Sequence, residues 1–462
     1  MSTADYTHSS SYRDPAGFIF QKESILYRQV NKVFREDFDH FINSGCYEQL
    51  VRKKMVIPHT ILDQNLTGSD EYSINLVPEK INFISYPYEW SPEMLRDAAL
   101  LTLQLVKEAL PFGLVLKDAT PFNVQWQDGR WVFIDTLSFE KYDERSPWIA
   151  YRQFCECFLG PLLLMHYSKT PLPQIMLAWP EGIPLAIVKK LLLAKSKFSI
   201  PVYLHIHLHA GIAGRKNNNR PATVNFSRQK LLNIINSLEL LVRKLRFPKS
   251  GSIWTAYYEE AEGRDQYLEY KKAIINRWMD QLPGIRKAVD LGANEGVFSK
   301  LLTARNIKTL AVDADPFCID NLYRAIRHLK ERHLEPLVID LSNPSPAIGV
   351  NNKERDSFLS RCKADLVLAL ALVHHLAIGK NMSFRQMATL FSNAGEQLIV
   401  EFISKQDEKI QGMLQTKKDI YSGYHESGFL SAFGEYFTIA DRQPIEGTER
   451  ILFLMKRKTK SA

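Results

Sequence analysis

Asp290, Gly292 and Gly296 form D-x-G-x-x-x-G inside the stretch AVDLGANEGVFSKLL, between an apolar run and an amphipathic one. The pattern predicts a short strand, a turn and a helix. Glycine lacks the Cβ that would bar a tight turn or hold a bound molecule at a distance, so two glycines here let the backbone approach a ligand as the helix begins. Asp313 ends the next apolar run, 23 residues after Asp290, where a carboxylate can accept both hydroxyls of a ribose. The nicotinamide fingerprint GxGxxG is absent. The chemistry indicated is the binding of a nucleoside.

These residues need a scaffold, and the second half of the chain predicts one. IRKAVDLGANEGVFSKLLTARN, IKTLAVDADPFCIDNLYRAIRHL, LEPLVIDLSNPSP, KADLVLALALVHHLAI and GEQLIVEFISKQD alternate strand-like with helical patterns, which implies a doubly wound, mostly parallel sheet. Ligands of such sheets bind at the carboxyl ends of the strands, where Asp290 and Asp313 fall. On D-x-G-x-x-x-G and the strand-end acids, roughly Trp254 to the C-terminus resembles class I methyltransferases that use S-adenosylmethionine. The resemblance implies that Asp290, Gly292, Asn294 and Gly296 flank the methionine part of that cofactor. It also implies that Asp313 binds the ribose and Asp340 reaches the adenine amino group.

No Asn-Pro-Pro-Tyr sequence follows the fourth strand; ALALVHHLAI stands there, and its histidine pair looks like that of small-molecule methyltransferases. An imidazole titrates near neutral pH, so His374 or His375 is a candidate to take a proton from an acceptor hydroxyl. One of the two can equally be structural. Glu401, ending the fifth strand, is a second candidate base. Methyl transfer otherwise asks mainly for alignment of the acceptor and exclusion of water. The aromatics of SIWTAYYEE, Trp254, Tyr257 and Tyr258, are placed to cover the cofactor and face its positive sulfur, or simply to pack.

The N-terminal half carries another pattern, in GLVLKDATPFNVQWQDGRWVFIDTLSFE. Asp118, Asn123 and Asp135 there resemble the catalytic loop and metal-binding aspartate of protein-kinase-like folds. That likeness implies that Asp118 orients an attacking hydroxyl, while Asn123 and Asp135 hold magnesium on the phosphates of ATP. The departures are plain: Leu116 stands where the loop histidine would, Thr136 and Leu137 follow Asp135, and no Gly-rich phosphate loop can be read. An active phosphotransferase and a module that only recruits substrate both stay open. His205, His207 and His209 in YLHIHLHAG have alternate spacing that invites a zinc reading. With no further ligand to be found, a structural or anion-facing role is the expectation.

The chain has 462 residues, 45% hydrophobic and 24% charged. That length calls for more than one core. The expected fold class is α/β: an α+β, kinase-like domain over 1–170, a mostly helical connecting region over 171–250, and a doubly wound, Rossmann-like methyltransferase domain over 251–462. The amphipathic stretch NFSRQKLLNIINSLELLVRKLRF is expected to bridge two halves. The net charge of +8 is spread along the chain without a nucleic-acid-binding motif, so nucleic acid is not an expected partner. Five scattered cysteines, a polar N-terminus and no apolar run long enough to span a bilayer predict a cytoplasmic protein.

LKDATPFNVQ, FIDTLSF and AYRQFCECFLGPLLLM followed by DLGANEGVFS and ALALVHHLAI resemble, over nearly the whole chain, bacterial methyltransferases of the rhizobial nodulation-protein type. Within NPSPAIGVNNKERDSF, Glu354 and Arg355 are candidate substrate or lid residues. The leading expectation is a methyltransferase for a small-molecule or glycan-type acceptor. A bifunctional kinase and methyltransferase, and a non-catalytic scaffold that kept the fold, are the alternatives. Oligomeric state is not legible.

Overall fold

The computed structural model describes residues 8–213, 226–249, 265–329, 331–415 and 417–459. Trp254, Tyr257 and Tyr258 lie outside the described residues. The chain forms two compact units, Met1–Pro248 with Ala347–Arg355, and Lys249–Pro346 with Asp356–Ala462.

In the first unit β1 (Gly17–Lys22), β2 (Ile25–Asn31), β3 (His59–Leu62) and β4 (Tyr72–Pro78) make an antiparallel sheet in the order β1-β2-β4-β3. The helix Pro92–Ala109 follows, opened by a proline whose missing N–H costs nothing in a first turn. Two antiparallel pairs come next: β5 (Leu114–Leu116) with β8 (Phe139–Lys141), and β6 (Val124–Gln127) with β7 (Arg130–Phe133). Of the connecting region expected over 171–250, the described residues up to Pro248 fall in this unit. The physical reason lies in the helix Arg228–Lys244. Its apolar stripe, Leu231, Ile235, Leu238, Leu241 and Val242, is buried, and the helix packs on Pro92–Ala109, with Lys107 paired to Glu239 at 2.9 Å. An amphipathic helix needs a partner surface, and this one finds it within the unit.

The second unit is built on seven strands: β9 (Lys287–Leu291), β10 (Lys308–Asp313), β11 (Leu334–Val338), β12 (Ala364–Ala369), β13 (Gly395–Ile403), β14 (Phe437–Pro444) and β15 (Arg450–Arg457). Their order is β11-β10-β9-β12-β13-β15-β14. The first five run parallel, and β15 lies antiparallel between β13 and β14. The mostly parallel sheet matches the expectation, and its strand order reverses between β9 and β12. β11 is buried along its whole length, as strands covered on both faces are. Under one face the helix Asp265–Gln281 sets Ile275 and Trp278 against Ala288, Leu366, Leu368 and Ile399. The indole Nε1 of Trp278 donates to Asp441 at 2.7 Å. Among the described residues no helix is long and apolar enough to cross a membrane.

Trp278 is fully buried. Trp278→Ala is expected to weaken the second unit by about 3–5 kcal/mol, the range for aromatic truncations in a core. Urea unfolding followed by amide exchange on β9 and β12 measures it, and loss of less than about 1 kcal/mol would contradict this packing role.

Candidate functional site

A cavity of about 490 Å³ opens at the carboxyl ends of β9, β10, β11 and β12, its wall including Asp290, Gly292, Asn294, Asp313, Asp340 and His375. It sits at the switch point of the sheet, where doubly wound folds bind ligands. The volume suits a molecule the size of a nucleoside carrying an amino-acid arm.

The turn after β9 has the backbone its glycines allow. Gly292 has φ +78°, Asn294 +49° and Gly296 +75°. The N–H groups of Gly292 and Ala293 both donate to the carbonyl of Val312, at 2.8 and 3.0 Å, which ties the turn to the end of β10. A Cβ on Gly292 would lie 3.2 Å from Leu372, and one on Gly296 2.8 Å from Leu322. Gly292 borders the cavity; Gly296 does not. The expected ligand contact at Gly296 therefore becomes an indirect one: it starts the helix Val297–Thr303 and lets that helix approach its neighbour. Its positive φ and that contact make any side chain costly there.

The three strand-end carboxylates share the cavity but not their electrostatics. Asp290 is 2% exposed and accepts the hydroxyl of Ser299 at 2.7 Å. Burial pushes its carboxyl up to about 6, against the opposing pull of that hydrogen bond. Asp313 accepts the N–H of Asn294 on one oxygen and that of Asp315 on the other, both at 2.8 Å. Burial raises its carboxyl too. Asp340 is held low in spite of partial burial, because Ser342 donates to it through both backbone and hydroxyl and Lys380 lies 3.1 Å away.

The histidines divide. His375 lines the cavity, while His374 is 2% exposed, lies outside the wall and has Nδ1 buried without a hydrogen bond. Their rings stand 3.9 Å apart. Burial holds His374 well below the usual imidazole range and pushes His375 down to about 4, with Lys409 adding to the latter. Both are neutral at physiological pH.

Glu401 corrects an expectation. It is 0% exposed, does not border the cavity, and its oxygens are engaged by Lys271 at 2.7 Å, Tyr267 at 2.7 Å and the N–H of Ala371 at 2.8 Å. Burial alone would raise its carboxyl, yet Lys271 and Arg450 hold it below the ordinary value. A carboxylate so saturated is an anchor, not a base. Ala371 has φ +49°, so Glu401 fastens the strained turn after β12 that carries the histidines. Sequence reasoning missed its partners. Tyr267 and Lys271 border the cavity, and Arg450 donates to the Tyr267 hydroxyl at 2.9 Å and to Asp407 at 2.7 Å. One signal was present: Lys271 interrupts the apolar stripe that continues through Ile275 and Trp278.

In the first unit the structure does bring Asp118, Asn123 and Asp135 together. Asn123 donates to Asp135 at 3.3 Å, and burial with the nearby Asp135 raises the carboxyl of Asp118. But Asp135 also takes Ser138 at 2.6 Å, the N–H of Leu137 at 3.2 Å and the guanidinium of Arg28 at 2.5 Å. Burial works against its charge, and Arg28 holds it ionised. A built-in cation stands where magnesium was expected, and among the described residues no group of three His, Cys, Asp or Glu is arranged for a metal. The ATP and magnesium expectation is not supported. His205 pairs with Tyr151 and Ser237 at 2.7 and 2.9 Å, and His207 with Ser196 at 2.9 Å, on the helical turn Tyr203–Leu208. Those partners are all hydroxyls. Glu354 and Arg355 are not at the cavity: Glu354 pairs with Arg13 at 3.1 Å, and the Arg355 guanidinium lies 4.7 Å from the Phe122 ring.

The raised carboxyl of Asp290 has a consequence for stability. Its folded value, about 6, exceeds the unfolded 3.8, so the folded protein holds the extra proton between those values and loses stability as pH rises through them. Asp290→Asn is thus expected to melt no lower than the wild type at pH 7.5, with its relative advantage disappearing toward pH 4. Paired melting curves across pH 4–8 decide it; an advantage that grows on acidification would contradict the buried-charge account.

No family model matches the chain. Over 464 aligned positions it is 30% identical to the nodulation protein NoeA of Rhizobium meliloti (strain 1021), covering 97% of this chain and 96% of that one. Among solved structures, the N-methyltransferase NodS from Bradyrhizobium japonicum WM9 in complex with S-adenosyl-L-homocysteine matches at 13% identity and a TM-score of 0.32, over 45% of this chain and 100% of that one. The bifunctional kinase-methyltransferase WbdD matches at 15% identity and 0.31, over 47% and 46%. The extent and identity of the match to NoeA show that this chain belongs to the NoeA family of nodulation proteins.

Proposed function

We propose that the chain is an S-adenosylmethionine-dependent methyltransferase acting on a small-molecule or glycan-type acceptor. The observation that carries this reading is the convergence of Asp290, Asp313 and Asp340, from three successive strand ends, on one cavity beside the glycine turn. Asp313, fixed by two backbone N–H groups, turns its remaining acceptor capacity to a ribose. Asp340 suits an exocyclic amino group, and Asp290 a cationic amine. When bound, the cofactor supplies an already activated methyl group. The chain's own task is to place an acceptor atom in line, exclude water and receive a proton where the acceptor is a hydroxyl.

His375 is our assignment for that last role: it lines the cavity, and burial favours its uncharged ring, the form that can accept a proton. His374 supports it by packing. A second cavity of about 460 Å³ supports a polyhydroxylated acceptor, since hydroxyl, amide and carboxylate groups of Ser404, Gln406, Glu426 and Glu449 line it beside the ring of Tyr424. Arg450, on its wall, bonds Tyr267 on the wall of the first.

Calorimetric titration with S-adenosylhomocysteine tests the cofactor. Binding is expected, with affinity falling about 10- to 100-fold in Asp313→Ala as a charge-assisted hydrogen bond is lost; no heat with the wild type at several temperatures would sink the proposal. Transfer of a labelled methyl group onto a panel of oligosaccharides and small hydroxyl compounds then identifies the acceptor. With it in hand, His375→Ala is expected to lower kcat by about 10²–10⁴-fold while cofactor affinity stays. An unchanged kcat would remove His375 from the mechanism.

A further inference from the structure

Lys271 is the most unusual charge in the second unit. It sits on the apolar stripe of the helix Asp265–Gln281, is 3% exposed, and still borders the cavity. Its ammonium has three N–H donors in a tetrahedral arrangement. One goes to Glu401 at 2.7 Å and one to the Tyr267 hydroxyl at 3.1 Å. No acceptor for the third stands among the described residues. The rings of Phe298 and Tyr267 lie 4.9 and 5.1 Å from Nζ, which keeps the charge in an apolar, partly aromatic collar where an unused donor is costly.

The surrounding charges suggest what the third donor meets. Glu401 matches Lys271 and Asp407 matches Arg450, so that group of four is neutral as a set. Asp290, close enough for Lys271 to act on its ionisation, has among the described residues only the Ser299 hydroxyl as a side-chain partner in hydrogen bonding. The wall of the cavity thus carries both a carboxylate and an ammonium donor. That is complementary to an α-amino acid, whose ammonium wants the first and whose carboxylate wants the second.

We propose that Lys271 is the residue that binds the carboxylate of the cofactor's methionine moiety, working with Asp290 on its ammonium, while Glu401 holds the lysine in place. The inference rests on the methyltransferase reading above. It makes Lys271 a specificity determinant, which separates ligands with an amino-acid carboxylate from those without one. Glu401 acts through Lys271 and is a positioning residue.

The experiment compares binding of S-adenosylmethionine and its decarboxylated analogue, which keeps the adenosine, the sulfonium and the amine but lacks the carboxylate. Calorimetry is run on the full-length wild type, on Lys271→Met, and on the double variant Lys271→Met with Glu401→Gln, which leaves no uncompensated buried carboxylate. The wild type is expected to prefer S-adenosylmethionine by about 10- to 100-fold, as one charge-assisted contact warrants. Either variant that folds is expected to lose that preference while binding the analogue as before. A preference that survives both substitutions, or a wild type that binds both ligands equally, would overturn the assignment of Lys271 and leave the cofactor reading standing. A wild type that binds neither ligand would overturn the cofactor reading itself.

Discussion

The ion pair between Lys271 and Glu401 is the constraint around which the second unit is arranged. Both charges are almost wholly removed from water, at 4% and 0% side-chain exposure. Taking two ions out of water costs several kcal/mol each, which their attraction offsets only when the remaining donors and acceptors are satisfied. Here the carboxylate of Glu401 is satisfied through Tyr267 and the N–H of Ala371, and Lys271 donates to Glu401 and Tyr267 while its third N–H is left at the cavity. The pair links the helix beneath the sheet to β13 and, through Ala371, to the turn that ends β12. That turn holds its backbone at positive φ and presents His375 to the cavity. Removing one partner leaves the other charge buried and the turn unfastened, so the shape of the wall and the burial of the pair are one problem.

The carboxylates of the two units show how much neighbours decide. Asp290 and Asp135 both follow or end short apolar strands; Asp290 is buried and Asp135 largely so, its side chain 14% exposed. Asp290 has a hydroxyl for a partner and is pushed up to about 6. Asp135 has Arg28 at 2.5 Å, a hydroxyl, an amide and a backbone N–H, and is held ionised. The first is hydrogen-bonded to a neutral hydroxyl; the second has a guanidinium built in. A reading by residue type alone treats both as ligand-binding acids, whereas their hydrogen bonds separate them.

The same lesson applies to Glu401 and Gly296. A glutamate at a strand end close to the cavity reads as a base until its oxygens are counted and found occupied. Gly296 reads as a place where a ligand approaches, and its positive φ does demand glycine. The atom that would clash with a Cβ, however, belongs to Leu322 of the protein itself. In both cases the residue matters to the site through the scaffold, one step removed from the ligand.

Much of the second unit was legible because its signals are local. Alternation of apolar strands with amphipathic helices sets the layered sheet, the glycines of D-x-G-x-x-x-G set the turn, and acids at successive strand ends fall on one edge by the topology of parallel strands. The sequence by itself therefore determined the parallel sheet, the position of the cavity and the presence there of Asp290, Asp313 and Asp340. Tertiary structure decided which polar groups neutralise one another: Glu401 with Lys271 across 130 residues of chain, Asp135 with Arg28, and the assignment of the cavity to His375 over His374. It also decided that the amphipathic helix Arg228–Lys244 packs within the first unit. Pairings of this kind depend on distances between residues remote in sequence, and on a dielectric set by packing; periodicity along the chain carries neither.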